Sequence, residues 1–157
     1  MTIFRDLGET LVSQPFFDGF NQEQVEFLVG CSANRVFKQD EYLFREGAAA
    51  NSLYLIREGK VAIETASPSG GALTLATAGR GDMLGWSWIV PPYLHRSDCR
   101  ALEQTRTVAI DAVCLRDKLE TDQSLGFKLL TRVVEVMAQR MSSTRLQLLD
   151  LYANDPN

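Results

Sequence analysis

The chain has 157 residues, with 16 Lys+Arg against 20 Asp+Glu, one His, three Cys and 45% apolar residues, the composition of one ordinary globular domain. At this length folding removes roughly 68–70% of the unfolded surface from water, so a core forms without help from disulfides or a structural metal. Membrane-spanning, collagen-like and disordered classes are excluded, and a formal net charge of −4 offers no general attraction for nucleic acid.

The N-terminal stretch is interrupted by Arg5, Asp6 and Glu9, so it lacks a signal-peptide core, and the expected compartment is the cytoplasm. Cys31, Cys99 and Cys114 are odd in number, far apart and form no CxxC pair, which predicts reduced core thiols rather than disulfides or a metal site. Asn21, with Gln24 three residues later and Phe20 placed to pack on Val25, predicts a capped helix. Val25, Leu28 and Val29 form its apolar face, and Gly30 offers a stop.

From about residue 34 to 111 the pattern changes to short segments rich in Val, Ile, Leu, Thr and Tyr, separated by glycine turns, which predicts a β sandwich or barrel. Residues 53–57 and 60–65 flank Glu58-Gly59, a connection of the kind that closes a hairpin. Further turns are expected at Ser69-Gly70-Gly71 and Gly79-Arg80-Gly81. Val108 and Ile110 carry the last strand, and Asp111 is placed to cap a helix.

Helical periodicity occupies about residues 112–152, with a break near Thr121 to Ser124. The second helix, from about Leu125 to Tyr152, spans roughly 40 Å, too long for so small a barrel to cover. Leu130, Val134, Met137, Met141, Thr144, Leu148 and Leu151 recur at alternating spacings of four and three over about three heptads, which predicts a homodimer seam. Leu129, Val133 and Val136 form a second stripe that can face the domain's own sheet. Thr144 is the polar exception in the seam, placed either to set register or to touch a ligand.

The stretch FREGAAANSLYLIREGKVAIET, followed by GDMLGWSWIV, resembles the cyclic nucleotide-binding domain of the catabolite activator protein (Crp/Fnr) superfamily. The resemblance rests on Gly47, the Leu53-Tyr54-x-Ile56 strand, Gly59, Val61, Gly81-Asp82 and Gly85, and covers about residues 15 to 152. It implies a β jelly roll (double-stranded β-helix) with an N-terminal helix and a long C-terminal dimerisation helix. It also implies a phosphate-binding cassette running from Gly85 through Trp86, Ser87 and Trp88 to Arg96, Ser97 and about Arg100. A cyclic phosphate is a monoanion suited to a guanidinium fork, and a ribose hydroxyl suits a carboxylate acceptor. The resemblance therefore implies a cyclic nucleotide ligand, cAMP or cGMP, with Arg96 expected as the phosphate anchor and His95 or Arg100 as alternatives, and with Thr144 matching a base contact on the dimer helix. Where the family has Gly-Glu this chain has Gly85-Trp86, and an indole only donates hydrogen bonds. Asp98 would bring a carboxylate near the phosphate. Trp86 and Trp88 either fill the cavity or stack on a planar ligand.

Catalysis is not expected, because one histidine and no GxSxG, P-loop, HExxH or paired-cysteine motif leave no nucleophile with a base. Haem or an iron–sulfur cluster lacks the ligand set, so no metal or cofactor is expected. Only five residues follow Tyr152, too few for a helix-turn-helix, so DNA contact through this chain alone is not expected, nor is membrane contact. The resulting expectation is a homodimeric regulatory domain with a degenerate cassette that signals through a partner protein. The alternative is a ligand-free interaction module whose cavity is filled by Trp86 and Trp88.

Overall fold

In the computed structural model, which describes residues 2–154, helix α1 (Thr2–Ser13) leads through a 3₁₀ turn at Pro15–Phe17 into α2 (Gln22–Gly30). The Asn21 side chain accepts from the Gln24 N–H, and the Gln24 side chain accepts from the Asn21 N–H, the reciprocal cap that the sequence predicts. Eight strands follow: β1 (Ser32–Phe37), β2 (Tyr42–Phe44), β3 (Ser52–Glu58), β4 (Lys60–Ala66), β5 (Ala72–Gly79), β6 (Met83–Leu84), β7 (Asp98–Ala101) and β8 (Thr105–Asp111). A 3₁₀ helix at Trp86–Ile89 separates β6 from β7, and α3 (Ala112–Thr121) and α4 (Gln123–Ala153) close the chain. Asp111 caps α3 by accepting from the Cys114 N–H, and Asp122 caps α4 by accepting from the Leu125 N–H.

The strands form two four-stranded antiparallel sheets, ordered β1-β8-β3-β6 and β2-β7-β4-β5, the two halves of a jelly roll. The central strands of the first sheet, β3 and β8, are buried on both faces, while β1 at its edge is largely exposed. Leu53, Leu55, Val108 and Ile110 point to the helices, where they join Leu11, Leu28, Leu115, Leu125 and Leu129 in one core. Tyr54, Ile56 and Ala109 point the other way and pack on Val61, Cys99 and Ala101 of the second sheet. This two-sided burial explains why β3 reads as a nearly continuous apolar run instead of alternating.

The connection at Glu58-Gly59 is not the hairpin its sequence suggests. β3 and β4 lie in different sheets, and the chain crosses between them at Gly59, whose φ is +111°. A Cβ there would lie 2.6 Å from Thr105 Oγ1 and 2.7 Å from Thr105 Cα, so glycine is required by contact as well as by φ. The hairpin is instead β4–β5, turning through Ser67 to Gly71.

The cysteine expectation is also corrected. Cys31 and Cys114 are disulfide-bonded, with Cα atoms 6.2 Å apart. They are 83 residues apart in the chain, but β1 pairs with β8 so that Ser32 faces Ile110, and the Asp111 N–H donates to the Cys31 carbonyl at 2.9 Å. Strand pairing therefore brings together two cysteines whose sequence spacing carries no signal. Cys99 is free and buried, and burial pushes its thiol up to about 12.

Candidate ligand cleft between the cassette and the long helix

β6 ends at Leu84, and the next residue turns sharply. Gly85 has φ +83°, and a Cβ on it would come within 3.1 Å of the Ser52 carbonyl and 3.5 Å of the His95 ring. Only glycine combines that φ with that close approach. The turn starts the 3₁₀ helix Trp86–Ile89, whose two indoles are buried to different depths against the helix-side core. Trp88 is fully buried in the helix-side core, while Trp86 stays half-buried. The Trp88 carbonyl accepts from Arg116 Nη1 of α3 at 2.8 Å, tying the 3₁₀ helix to α3.

Gly85, Trp86 and Ser87 form one wall of a cleft of about 570 Å³ together with His95, Arg96 and Ser97. Leu75 to Ala78 of β5 form its side, and Arg140, Ser143, Thr144 and Gln147 of α4 form the opposite wall. Its floor is an aromatic stack, with the His95 and Phe44 rings 3.8 Å apart between centroids and nearly parallel at 6°.

Two guanidiniums enter the cleft without a carboxylate in ion-pair range among the described residues. Arg96 is exposed and lies 5.5 Å from the centroid of the Trp86 ring. Arg140 reaches in from α4, where Nη2 donates to the Met83 carbonyl. Burial pushes its guanidinium below the ordinary arginine value, against the opposite pull of Asp82. Arg132 is already ion-paired with Glu135 at 3.2 Å, and Asp82 accepts from the Gly79 N–H at 2.9 Å. The cleft therefore offers positive charge from two walls, beside an indole and several hydroxyls, an arrangement that suits a small anionic ligand with an apolar part.

The sequence pattern of the cyclic nucleotide-binding domain matches residues 34–122, more than half of the chain. The chain belongs to that family. This cyclic nucleotide-binding domain is 28% identical over 149 residues to the CRP-like cAMP-activated global transcriptional regulator of Mycobacterium tuberculosis, covering 95% of this chain and 65% of that protein. It thus spans about 65% of the length of the curated relative it matches. A putative cyclic nucleotide-binding protein from Geobacter metallireducens superposes with a TM-score of 0.77 at 28% identity, covering 85% of this chain and 97% of that one. A cyclic nucleotide-binding domain from Methylobacillus flagellatus superposes with a TM-score of 0.78 at 23% identity, over 95% and 84% of the two chains. That last likeness shows the fold alone. Among the described residues no helix is long and apolar enough to cross a membrane, and no cluster of His, Cys, Asp and Glu is built to hold a metal.

Within this cyclic nucleotide-binding domain, the fold gathers Gly85, Trp86, Ser87, Arg96, Ser97 and Thr144 at one cleft. Two residues expected with them are elsewhere. Trp88 belongs to the core on the helix side, so the two indoles do not jointly fill the cleft. Arg100 lies on the outer face of β7, because its neighbours Cys99 and Ala101 point inward. There it donates to the buried Glu64 at 2.9 Å and to Asp40 at 2.7 Å. Glu64 beside it holds the Arg100 guanidinium above its ordinary value. Asp98 does not face the cleft either. Its carboxylate accepts from the Glu46 N–H at 2.8 Å and from Arg45 Nε at 3.2 Å.

Arg140 is the functional candidate the sequence reading missed. It continues the inward stripe Leu129, Val133 and Val136 at the same helical spacing, and a cation on a face that meets the sheet was the available signal. Thr144, one turn on, donates to the Arg140 carbonyl at 2.9 Å.

The buried His95 ring adds a pH dependence. Desolvation lowers its pKa to about 4. The unfolded chain takes up this proton near pH 6.5 while the folded one does not. Stability should then be full at pH 7 and fall as pH drops from about 6.5 towards 4, by at most about 3 kcal/mol. Urea unfolding at pH 7 and pH 5 reads this, and the His95→Gln variant should show a smaller loss between the two.

Proposed function

We propose that this domain is a regulatory sensor whose cleft binds a cyclic nucleotide, and that its homodimer signals through α4 to a partner protein. The observation that carries this reading is the cleft itself, open between cassette and helix, with Arg96 and Arg140 on its two walls and neither in an ion pair among the described residues. A ligand shifts a conformational equilibrium only by the difference in its affinity for the two states. A phosphate held between Arg96 of the cassette and Arg140 of α4 makes such a difference, because one of its two anchors moves with the helix. The dimer follows from the seam, where Leu130, Val134, Met141, Leu148 and Leu151 remain between 43% and 72% exposed in the single chain. A second copy laid parallel covers them.

Isothermal titration with cAMP and cGMP tests the reading, and saturable binding is the expected result. Arg96→Ala should weaken that binding by about 1.5–3 kcal/mol, the range of a hydrogen bond to a charged group. Unchanged affinity in the variant would move the phosphate anchor to Arg140.

A further inference from the structure

The Cys31–Cys114 bond ties α2 to α3. Cys31 is the C-terminal cap of α2, and Cys114 lies in the first turn of α3. Both residues are partly exposed, within reach of a small reagent in solvent. The third cysteine is shielded. Cys99 has 0% exposure between the two sheets, where burial pushes its thiol up to about 12, so it takes no part in exchange.

The same turn of α3 holds the cassette. Two residues after Cys114, Arg116 donates to the Trp88 carbonyl at 2.8 Å and lies 4.3 Å from the centroid of the Tyr93 ring. Both partners belong to the segment that connects the Gly85 turn to the cleft wall at His95. Two helical positions differ by about 200° around the axis, so Cys114 and Arg116 leave α3 on nearly opposite sides, one towards α2 and the other towards the cassette. Opening the sulfur bond leaves the helix itself in place. The Asp111 cap remains, the Ala112 N–H still donates to the Asn51 carbonyl at 2.9 Å, and Leu115 stays in the core. What α3 loses is its covalent stop against α2, and the added motion reaches the cassette through Arg116.

We propose that Cys31 and Cys114 form a reversible thiol–disulfide site that exchanges with a small thiol couple of the glutathione class, and that the bond sets how firmly α3 holds the cassette. In the closing step one protein thiolate attacks a sulfur of the small disulfide and releases one small thiol. The second protein thiolate then displaces the other small thiol as the Cys31–Cys114 bond forms. Two protein thiols and one small disulfide become one protein disulfide and two small thiols, and the two protons pass to the departing thiolates. Opening is the reverse. The site acts on the cleft wall whatever anion the cleft takes, so it stands apart from the cyclic nucleotide reading.

Incubation of the whole chain in mixtures of reduced and oxidised glutathione, followed by alkylation in denaturant and mass measurement, reads the site. Three adducts are expected in excess reduced glutathione and one, on Cys99, in excess oxidised glutathione, with no glutathione retained and passage in both directions. Amide hydrogen exchange of residues 85–97 should be roughly threefold or more faster in the reduced form, with the β4–β5 hairpin unchanged. The Cys31→Ser, Cys114→Ser double variant should exchange at the reduced rate in both mixtures, its thermal unfolding midpoint showing that it is folded. A single adduct that persists in excess reduced glutathione would make the bond a permanent staple and overturn the proposal. Three adducts in excess oxidised glutathione, or glutathione retained on the chain, would overturn it from the other side. Equal exchange of residues 85–97 in the two forms would overturn the link to the cassette, whatever the adduct count.

Discussion

Replacing Trp88 by alanine is expected to destabilise the domain by about 3–5 kcal/mol, a large fraction of the roughly 5–15 kcal/mol available to a domain. The side chain has 0% exposure and sits in the core shared by the first sheet and the helices. The fixed backbone of the 3₁₀ helix, held through the Trp88 carbonyl by Arg116, cannot collapse into the space left behind. Trp86→Ala, two residues away, is expected to cost less, about 1–2 kcal/mol, because that ring is half-buried, packing on the edge of the same core while lining the cleft. Urea denaturation of the two variants side by side checks both values. Near-equal losses would mean that Trp86 is also structural and would remove its assignment to ligand recognition.

The second large effect is on assembly. Met141→Glu combined with Leu148→Glu is expected to convert a dimer into a monomer at micromolar concentration, read as a halved mass in sedimentation. Both side chains are exposed in the single chain, at 72% and 50%, so the substitutions spare the domain's own core. Met137, four residues earlier in the seam, packs partly on that core and is the less suitable choice. In a parallel pair each substitution buries two like charges face to face with no partner, and more than about a hundredfold loss in dimer affinity, about 3 kcal/mol, is expected. Retention of the dimer mass would place the interface elsewhere and remove α4 as the signalling element.

These predictions divide along what was legible from local pattern. The cap at Asn21 and Gln24, the cap at Asp111, the turns at Gly70-Gly71 and Gly81, and the break before α4 were all visible because each depends on residues within four positions of one another. The inward stripe of α4 was visible for the same reason, and Leu129 and Val133 are buried on it. The Glu58-Gly59 connection misled because a tight glycine turn looks the same whether the strands it joins pair with each other or part to different sheets. Which occurs depends on β8, some fifty residues later, claiming β3 as its partner.

The site divides similarly. Gly85 marks its position by chain chemistry alone, and the flanking sequence carried the family resemblance. The direction of each nearby side chain did not follow from its identity. Trp86 and Trp88 are the same residue two positions apart and both pack on the helix-side core, yet only Trp86 also lines the cleft while Trp88 is fully buried. Arg96 and Arg100 are both arginines of the cassette segment, yet only Arg96 lines the cleft, because strand pleating turns Arg100 outward to Glu64. The sequence by itself determined the elements, their caps and the glycine positions, since short-range sterics and hydrogen bonding decide these. Only the tertiary structure decided the Cys31–Cys114 pairing and the entry of Arg140 into the cleft, since each depends on residues tens of positions apart meeting through strand pairing and helix packing.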